Sequence, residues 1–201
     1  MYELMTLNKY TQKGITSDKS QIILCNSFRN STDYINSLRY RMNKNYSKIP
    51  HFFITKEGQV YNFLDELSYS EFFSDVTLSR NSIVVVLENL GWLEKIPLTS
   101  EYINWIGDIY KKEIYERKWR DYFFWEPYPE IQIKQTAELC QFLIEKHKIK
   151  NKCVGHNTKI DGIEKFRGIF SKSNIHEDFT DLSPAFDFKL FENYLNDESI
   201  R

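Results

Sequence analysis

One histidine and one aspartate stand in sequence contexts that are typical of metal ligands. His156 follows Gly155 at the end of a short apolar run, and Asp181 precedes the segment Leu182-Ser183-Pro184-Ala185-Phe186-Asp187. A neutral imidazole and a carboxylate are both donors that zinc accepts in proteins. Two ligands do not make a site, so this pair predicts a metal centre that a third residue must complete. Asp181 has an alternative role as the cap of the turn into Pro184, because aspartate is favoured at caps and turns.

The composition is that of a folded domain with balanced charge. The chain has 201 residues, of which 41% are hydrophobic, and its 27 Lys and Arg nearly balance 28 Asp and Glu. That length predicts a single domain over residues 1–201. The absence of a basic excess argues against nucleic acid as a partner, and no apolar run is long enough to span a membrane.

The start of the sequence and its cysteines both indicate a reducing compartment. The first residues lack the positive and apolar regions of a secretory signal, which predicts a cytoplasmic protein. Release or export by a route without a signal is the alternative. Cys25, Cys140 and Cys153 are odd in number and show no C-x-x-C spacing, so a disulfide framework is not expected.

Hydrophobic patterning predicts an α/β fold with a mixed central β-sheet flanked by helices on both faces. Strands are predicted at 21–26, 81–88 and 152–155, and a β-hairpin at 51–63 turns at Gly58. His51 begins this hairpin, where a structural role is expected. Helices are predicted from about 33 to 45, 130 to 148 and 186 to 195.

An aromatic-rich insertion is predicted at about 92–127, and a loop insertion at about 159–178. The spacing of Tyr102, Ile106, Ile109 and Tyr110 favours a helix within the first insertion. The aromatic run 119–125 has three possible roles: a saccharide groove, a small core that pins the insertion to the sheet, or a surface for a protein partner.

The order of these elements and six short motifs resemble the type 2 N-acetylmuramoyl-L-alanine amidases, which include phage lysozyme-like amidases and peptidoglycan recognition proteins. The resemblance covers nearly the whole chain, from about Gln21 to Leu195. Each motif is weak alone, but all six occur in the expected order. They lie at 22–27, 51–58, 81–88, 128–132, 154–156 and 180–187.

This resemblance implies a zinc site and a hydrolytic reaction. Such amidases hold zinc with a histidine at the end of the first strand, a second histidine after the late strand and an acid or cysteine near the C-terminus. Position by position, His156 matches the second histidine and Asp181 matches the acid, while Cys25 stands where the first histidine is expected. The implied ligands are therefore Cys25, His156 and Asp181, although a cysteine at a strand end can equally be a packing residue.

The resemblance also shows departures at the positions that support catalysis. Val86 replaces the glutamate often found in the central strand, and Phe179 replaces the lysine that usually lies two residues before the acid. Glu88 points to the same strand face as Val86, and His176 lies near the acid in sequence, so both are candidate proton carriers. A solvated strand end and a surface loop are their simpler interpretations.

Two functions follow as expectations. The first is zinc-dependent hydrolysis of the amide between N-acetylmuramic acid and L-alanine in peptidoglycan or a muropeptide. Thr180 and Ser183 would bind substrate in that case, unless they bond only their own turn. The second is a non-catalytic homologue that binds a muropeptide, or a protein partner through the 92–127 insertion.

Overall fold

The computed structural model describes residues 17–42 and 48–197, and within them the chain forms two β-sheets and four α-helices. Residues 43–47, where the predicted first helix was expected to end, lie outside the described part. The strands are β1 (Gln21–Asn26), β2 (Phe52–Ile54), β3 (Val60–Asn62), β4 (Ser82–Leu87), β5 (Trp92–Lys95), β6 (Tyr102–Ile103), β7 (Ile109–Tyr110), β8 (Tyr115–Trp119), β9 (Tyr122–Trp125) and β10 (Gly168–Ser171). The helices are α1 (Ser31–Met42), α2 (Val76–Asn81), α3 (Glu130–His147) and α4 (Phe188–Leu195), with short 3-10 helices at Ile163–Lys165 and Lys172–Asn174.

The central sheet has the strand order β10-β1-β4-β2-β3. The first four strands run parallel, and only β3 is antiparallel, because it is joined to β2 by the hairpin that turns at Gly58. Parallel strands all end at the same edge of their sheet, so the residues that follow β1, β4, β2 and β10 meet there. This edge carries the candidate site.

The core lies on both faces of the central sheet, as the predicted fold class requires. Every residue of β1 and β4 is buried, which matches their continuous apolar sequence. Alternate residues of these strands pack on opposite sides. Side chains of α3 and α4 cover one side, and Tyr34, Leu38 and Leu78 of α1 and α2 cover the other.

The helices of the described part are all too short or too polar to cross a bilayer.

The segment 92–125 folds as a second sheet, which we call the extension sheet. Its strand order is β7-β6-β5-β9-β8, and every pairing is antiparallel. The helix predicted at Tyr102–Tyr110 is therefore wrong. The physical reason is a turn in the middle of the apparent helical pattern: the Asn104 side chain accepts the N–H groups of Ile106 and Asp108, and Gly107 adopts a φ of +88°.

Strand β10 was not expected from the sequence. It lies within the 159–178 segment, beside β1, with Leu24 opposite Ser171. The strand predicted at 152–155 is reduced to a single bridge between Cys153 and Ile169, on the far side of β10. The chain around Val154 is thus separated from β1 by β10.

His51 is structural, as predicted. Its ring is fully buried, Nδ1 accepts the N–H of Val84 at 3.0 Å, and Nε2 donates to the carbonyl of Ser68 at 3.0 Å. Burial, with a smaller contribution from the charge of Lys19, lowers the pKa of His51 to about 3. The neutral ring therefore ties the start of β2 to β4.

Candidate functional site

Cys25, Asp181 and Lys172 form a charged centre at the carboxyl edge of the central sheet. Asp181 is only 1% exposed, and its Oδ1 accepts the N–H of Asn26 at 2.6 Å. Its Oδ2 lies 3.4 Å from Nζ of Lys172. We call these three residues the Lys172–Asp181 centre.

Lys172 reaches this centre through the register of the sheet. Leu24 of β1 lies opposite Ser171 of β10, and the next residues along the two strands are Cys25 and Lys172. Parallel neighbours in register point to the same face, so Lys172 is directed to the side on which Cys25 lies. Its ammonium also lies 4.5 Å from the ring centroid of Phe179, which stands where the resemblance described above implies a lysine.

The charges at the centre are a neutral thiol, a carboxylate and an ammonium. Burial, and then the charge of Asp181, raise the pKa of the Cys25 thiol well above its ordinary value, which Lys172 only partly offsets. Burial alone would lower the pKa of Lys172, but the charge of the Asp181 carboxylate raises it above its ordinary value. Lys172 therefore remains a cation at neutral pH, while Cys25 stays protonated.

His156 does not join this centre. Its side chain is exposed, its Nδ1 accepts the N–H of Thr158 at 3.2 Å, and its carbonyl is bound by the Asn174 amide. It follows the single bridge at Cys153, so β10 separates it from β1. The structure thus brings together two of the three predicted ligands, Cys25 and Asp181, and leaves the third outside.

The residues present do not fit a zinc ion. Within residues 17–42 and 48–197, no three His, Cys, Asp or Glu side chains lie close enough together to hold a metal. A zinc site needs about three protein ligands, with any cysteine as the thiolate. Here one carboxylate oxygen of Asp181 accepts the Asn26 N–H, and the Lys172 ammonium faces the other oxygen, so the side chains around Cys25 do not form a ligand set.

Glu88 and His176, the predicted proton carriers, lie in different surroundings. Glu88 is 6% exposed, and backbone donors occupy both of its carboxylate oxygens: the N–H of Ser31 at 2.8 Å and that of Lys56 at 3.1 Å. These bonds join the start of α1 to the β2–β3 hairpin. His176 is exposed, and its ring contacts Asp178 at 3.3 Å rather than the Lys172–Asp181 centre.

Thr180 and Ser183, the predicted substrate residues, flank Asp181. Thr180 is buried and lines the groove described below. Ser183 Oγ accepts the N–H of Ala185 at 3.3 Å, which is the local turn bond that the sequence offered as an alternative. The backbone N–H of Ser183 donates to the Tyr128 hydroxyl, which itself donates to Asn26 Oδ1 at 2.7 Å.

A groove of about 340 Å³ opens beside the Lys172–Asp181 centre. This volume lies within the roughly 300–1,000 Å³ of small-molecule sites. We call it the aromatic groove, because four aromatic side chains line it together with Lys172, Thr180, Asp178 and Asp181. The aromatic residues are Phe28, Trp92, Trp105 and Phe179.

Sequence reasoning missed Lys172, Phe28 and Trp105. No local motif marks them, because each reaches the site through long-range packing. Lys172 depends on the β1–β10 register, and Trp105 is held by a hydrogen bond from its Nε1 to the carbonyl of Phe28 at 2.6 Å.

Comparison with known proteins agrees with this architecture. A family model described as N-acetylmuramoyl-L-alanine amidase (Amidase_2) matches residues 10–165, a stretch that ends before Lys172 and Asp181. No match is found among curated protein sequences.

Solved structures of several amidases share the fold at low sequence identity. The N-acetylmuramoyl-L-alanine amidase LysC from Clostridium intestinale URNW is 12% identical, with a TM-score of 0.56 and 94% of each chain covered. AmpDh3 from Pseudomonas aeruginosa, in complex with anhydromuramic pentapeptide, is 10% identical, with a TM-score of 0.56. The match covers 95% of this chain and 66% of the AmpDh3 chain. The Staphylococcus aureus hydrolase AmiA, in complex with its ligand, is 8% identical, with a TM-score of 0.52. The match covers 93% of this chain and 81% of the AmiA chain.

Proposed function

The chain belongs to the type 2 N-acetylmuramoyl-L-alanine amidase family, and from this premise we propose that it binds the muramyl-peptide unit of peptidoglycan without zinc-dependent cleavage. The aromatic groove beside the Lys172–Asp181 centre would receive the ligand. Support comes from the family, and from the likeness in fold to AmpDh3, whose solved complex contains an anhydromuramic pentapeptide.

One observation carries the choice of binding over hydrolysis: an ammonium, that of Lys172, faces the Asp181 carboxylate. The side chains of the centre supply no nucleophile, because Cys25 is fully buried and the Lys172 ammonium faces the Asp181 carboxylate. It retains a hydrogen-bond donor, since the partly exposed ammonium of Lys172 lines the groove. Such a cation suits recognition of an amide carbonyl or carboxylate of the ligand.

Zinc-dependent hydrolysis of the amide between N-acetylmuramic acid and L-alanine is the second candidate. One observation favours it: Oδ2 of Asp181 is buried and makes no well-formed hydrogen bond with any described residue, since its contact with Lys172 Nζ is long, at 3.4 Å. This function needs Cys25, His156 and Asp181 as ligands, so the exposed His156 would have to turn inward. It also needs a proton carrier, the predicted Glu88 or His176.

A single experiment separates the two candidates. The purified protein is titrated with N-acetylmuramoyl-L-alanyl-D-isoglutamine by calorimetry, and the ligand is then recovered and weighed by mass spectrometry. We expect saturable binding, an intact ligand, and no change when a chelator is added. Release of L-alanyl-D-isoglutamine, or a complete lack of binding, would overturn the proposal.

A further inference from the structure

The loop after β1 is fixed against the extension sheet by an unusual set of contacts. Phe28 has a φ of +53°, a left-handed conformation that is uncommon for a bulky residue. Its carbonyl accepts the indole N–H of Trp105. Its ring packs against Gly91, where an added Cβ would lie only 2.5 Å from Phe28 Cε1. Strained residues of this kind persist where the surroundings hold them, and they cluster at ligand sites.

The other rings of the aromatic groove are also held in place before any ligand arrives. Trp92 stacks on Tyr122 with ring centroids 4.5 Å apart. Phe179 lies under the Lys172 ammonium, and the Arg29 guanidinium lies 5.3 Å from the Trp105 ring. A prearranged binding surface lowers the ordering cost of association. Trp105 nevertheless remains 42% exposed, so aromatic surface is still available to a ligand.

The lining of the groove is amphipathic. Aromatic rings from the β1 loop and the extension sheet line it together with polar residues, among which Lys172 and Thr180 can supply charge and hydrogen bonds. A sugar joined to a peptide is amphipathic in the same way, because a pyranose ring has apolar C–H faces and a peptide has amides and carboxylates. Aromatic side chains combine a large apolar face with fixed geometry, which suits the sugar part.

We propose that Trp105 and Phe28 form a sugar subsite, which binds the pyranose ring of a muramyl peptide and so makes the protein select the glycan-bearing ligand over the free stem peptide. This inference rests on the proposed function and adds the extension sheet to the binding site. The peptide part of the ligand then extends toward Lys172 and Thr180.

The test compares two ligands that differ only in the sugar: N-acetylmuramoyl-L-alanyl-D-isoglutamine and L-alanyl-D-isoglutamine. Calorimetry should show that the wild-type protein prefers the first ligand, and that Trp105→Ala lowers affinity for it roughly tenfold, a change in Kd that follows from loss of one stacked ring. Affinity for the free peptide should stay the same. Trp105→Phe keeps a ring but loses the indole N–H, so it should retain the preference and separate stacking from the hydrogen bond to Phe28.

Phe123→Ala is the matched control, because Phe123 is an exposed aromatic residue of the same sheet that does not line the groove. It should bind both ligands as the wild type does. Equal affinity of the wild type for the two ligands, or an unchanged preference in a folded Trp105→Ala variant, would overturn the sugar subsite alone. Failure of both ligands to bind the wild type would instead overturn the proposed function.

Discussion

The cation that lies beside Asp181 determines which chemistry the candidate site can perform. A buried carboxylate needs a partner, because an isolated charge inside a protein is costly. The resemblance to type 2 amidases implies zinc at this acid and a lysine two residues before it, whereas here the cation beside Asp181 is the ammonium of Lys172, at 3.4 Å. A lysine side chain carries one positive charge and donates protons in hydrogen bonds, but it cannot activate water as a metal ion does.

A second buried residue, His51, makes stability depend on pH. Its pKa is about 3 in the folded chain, against 6.5 for the unperturbed group. Below pH 6.5 the unfolded chain takes up a proton that the folded chain excludes, so stability is present above that pH and is lost as pH falls toward 3. When the pH is lowered from about 7.5 to about 5, His51 should therefore lower the free energy of unfolding by about 2 kcal/mol.

Urea unfolding at the two pH values, compared between wild type and His51→Gln, measures this contribution. Between these pH values, the free energy of unfolding should fall by about 2 kcal/mol less in the variant than in the wild type. At neutral pH the variant should be less stable than the wild type, because two buried hydrogen bonds are altered. His176→Gln, which changes an exposed histidine, is the control and should follow the wild type. Identical pH dependence in the wild type and His51→Gln would contradict the assignment.

At the scale of elements, the contact between the β1 loop and the extension sheet sets the shape of the groove. Gly91 has a φ of +79°, and Gly162 has a φ of +77°, so alanine strains the backbone at both positions. Of the two, only Gly91 would bring the new Cβ into contact with Phe28, since Gly162 has nothing within 4 Å.

Gly91→Ala should therefore have a free energy of unfolding lower than that of Gly162→Ala by roughly 1–3 kcal/mol, the usual cost of overpacking. It should also weaken muramyl-peptide binding, because Phe28 must move, while Gly162→Ala, at a residue that does not line the groove, should bind as the wild type does. Unfolding curves and calorimetry measure the two effects. Equal stability and equal affinity in the two variants would show that the Phe28 contact does not shape the groove.

At the scale of the whole molecule, local patterns predicted the central sheet well. The continuous apolar runs of β1 and β4 and the hairpin at Gly58 are signals that lie within a few residues, and the structure confirms them. The extension sheet was not predicted, because the apolar residues at 102–110 have helical spacing although a turn at Asn104 and Gly107 divides them. Strand β10 escaped because four residues, Gly168–Ser171, carry too little pattern.

The candidate site was only partly predictable for the same reason. Asp181 lies in a recognisable motif and Cys25 ends a clear strand, so both could be named from the sequence. Lys172 could not, because its place beside Cys25 depends on the pairing of β10 with β1, which joins residues far apart in the chain. The position of His156 could not be predicted for a related reason: β10 lies between its segment and β1.

Zinc content after equilibrium dialysis, measured by elemental mass spectrometry, tests the central claim most directly. The wild-type protein should retain well under one zinc ion per chain at the Lys172–Asp181 centre, because an ammonium faces the acid. Lys172→His removes that cation and supplies an imidazole beside Cys25 and Asp181, so it should gain about one zinc ion per chain. Lys152→His, at an exposed lysine, should gain none. One tightly held zinc ion per wild-type chain, lost on Asp181→Asn, would contradict the account.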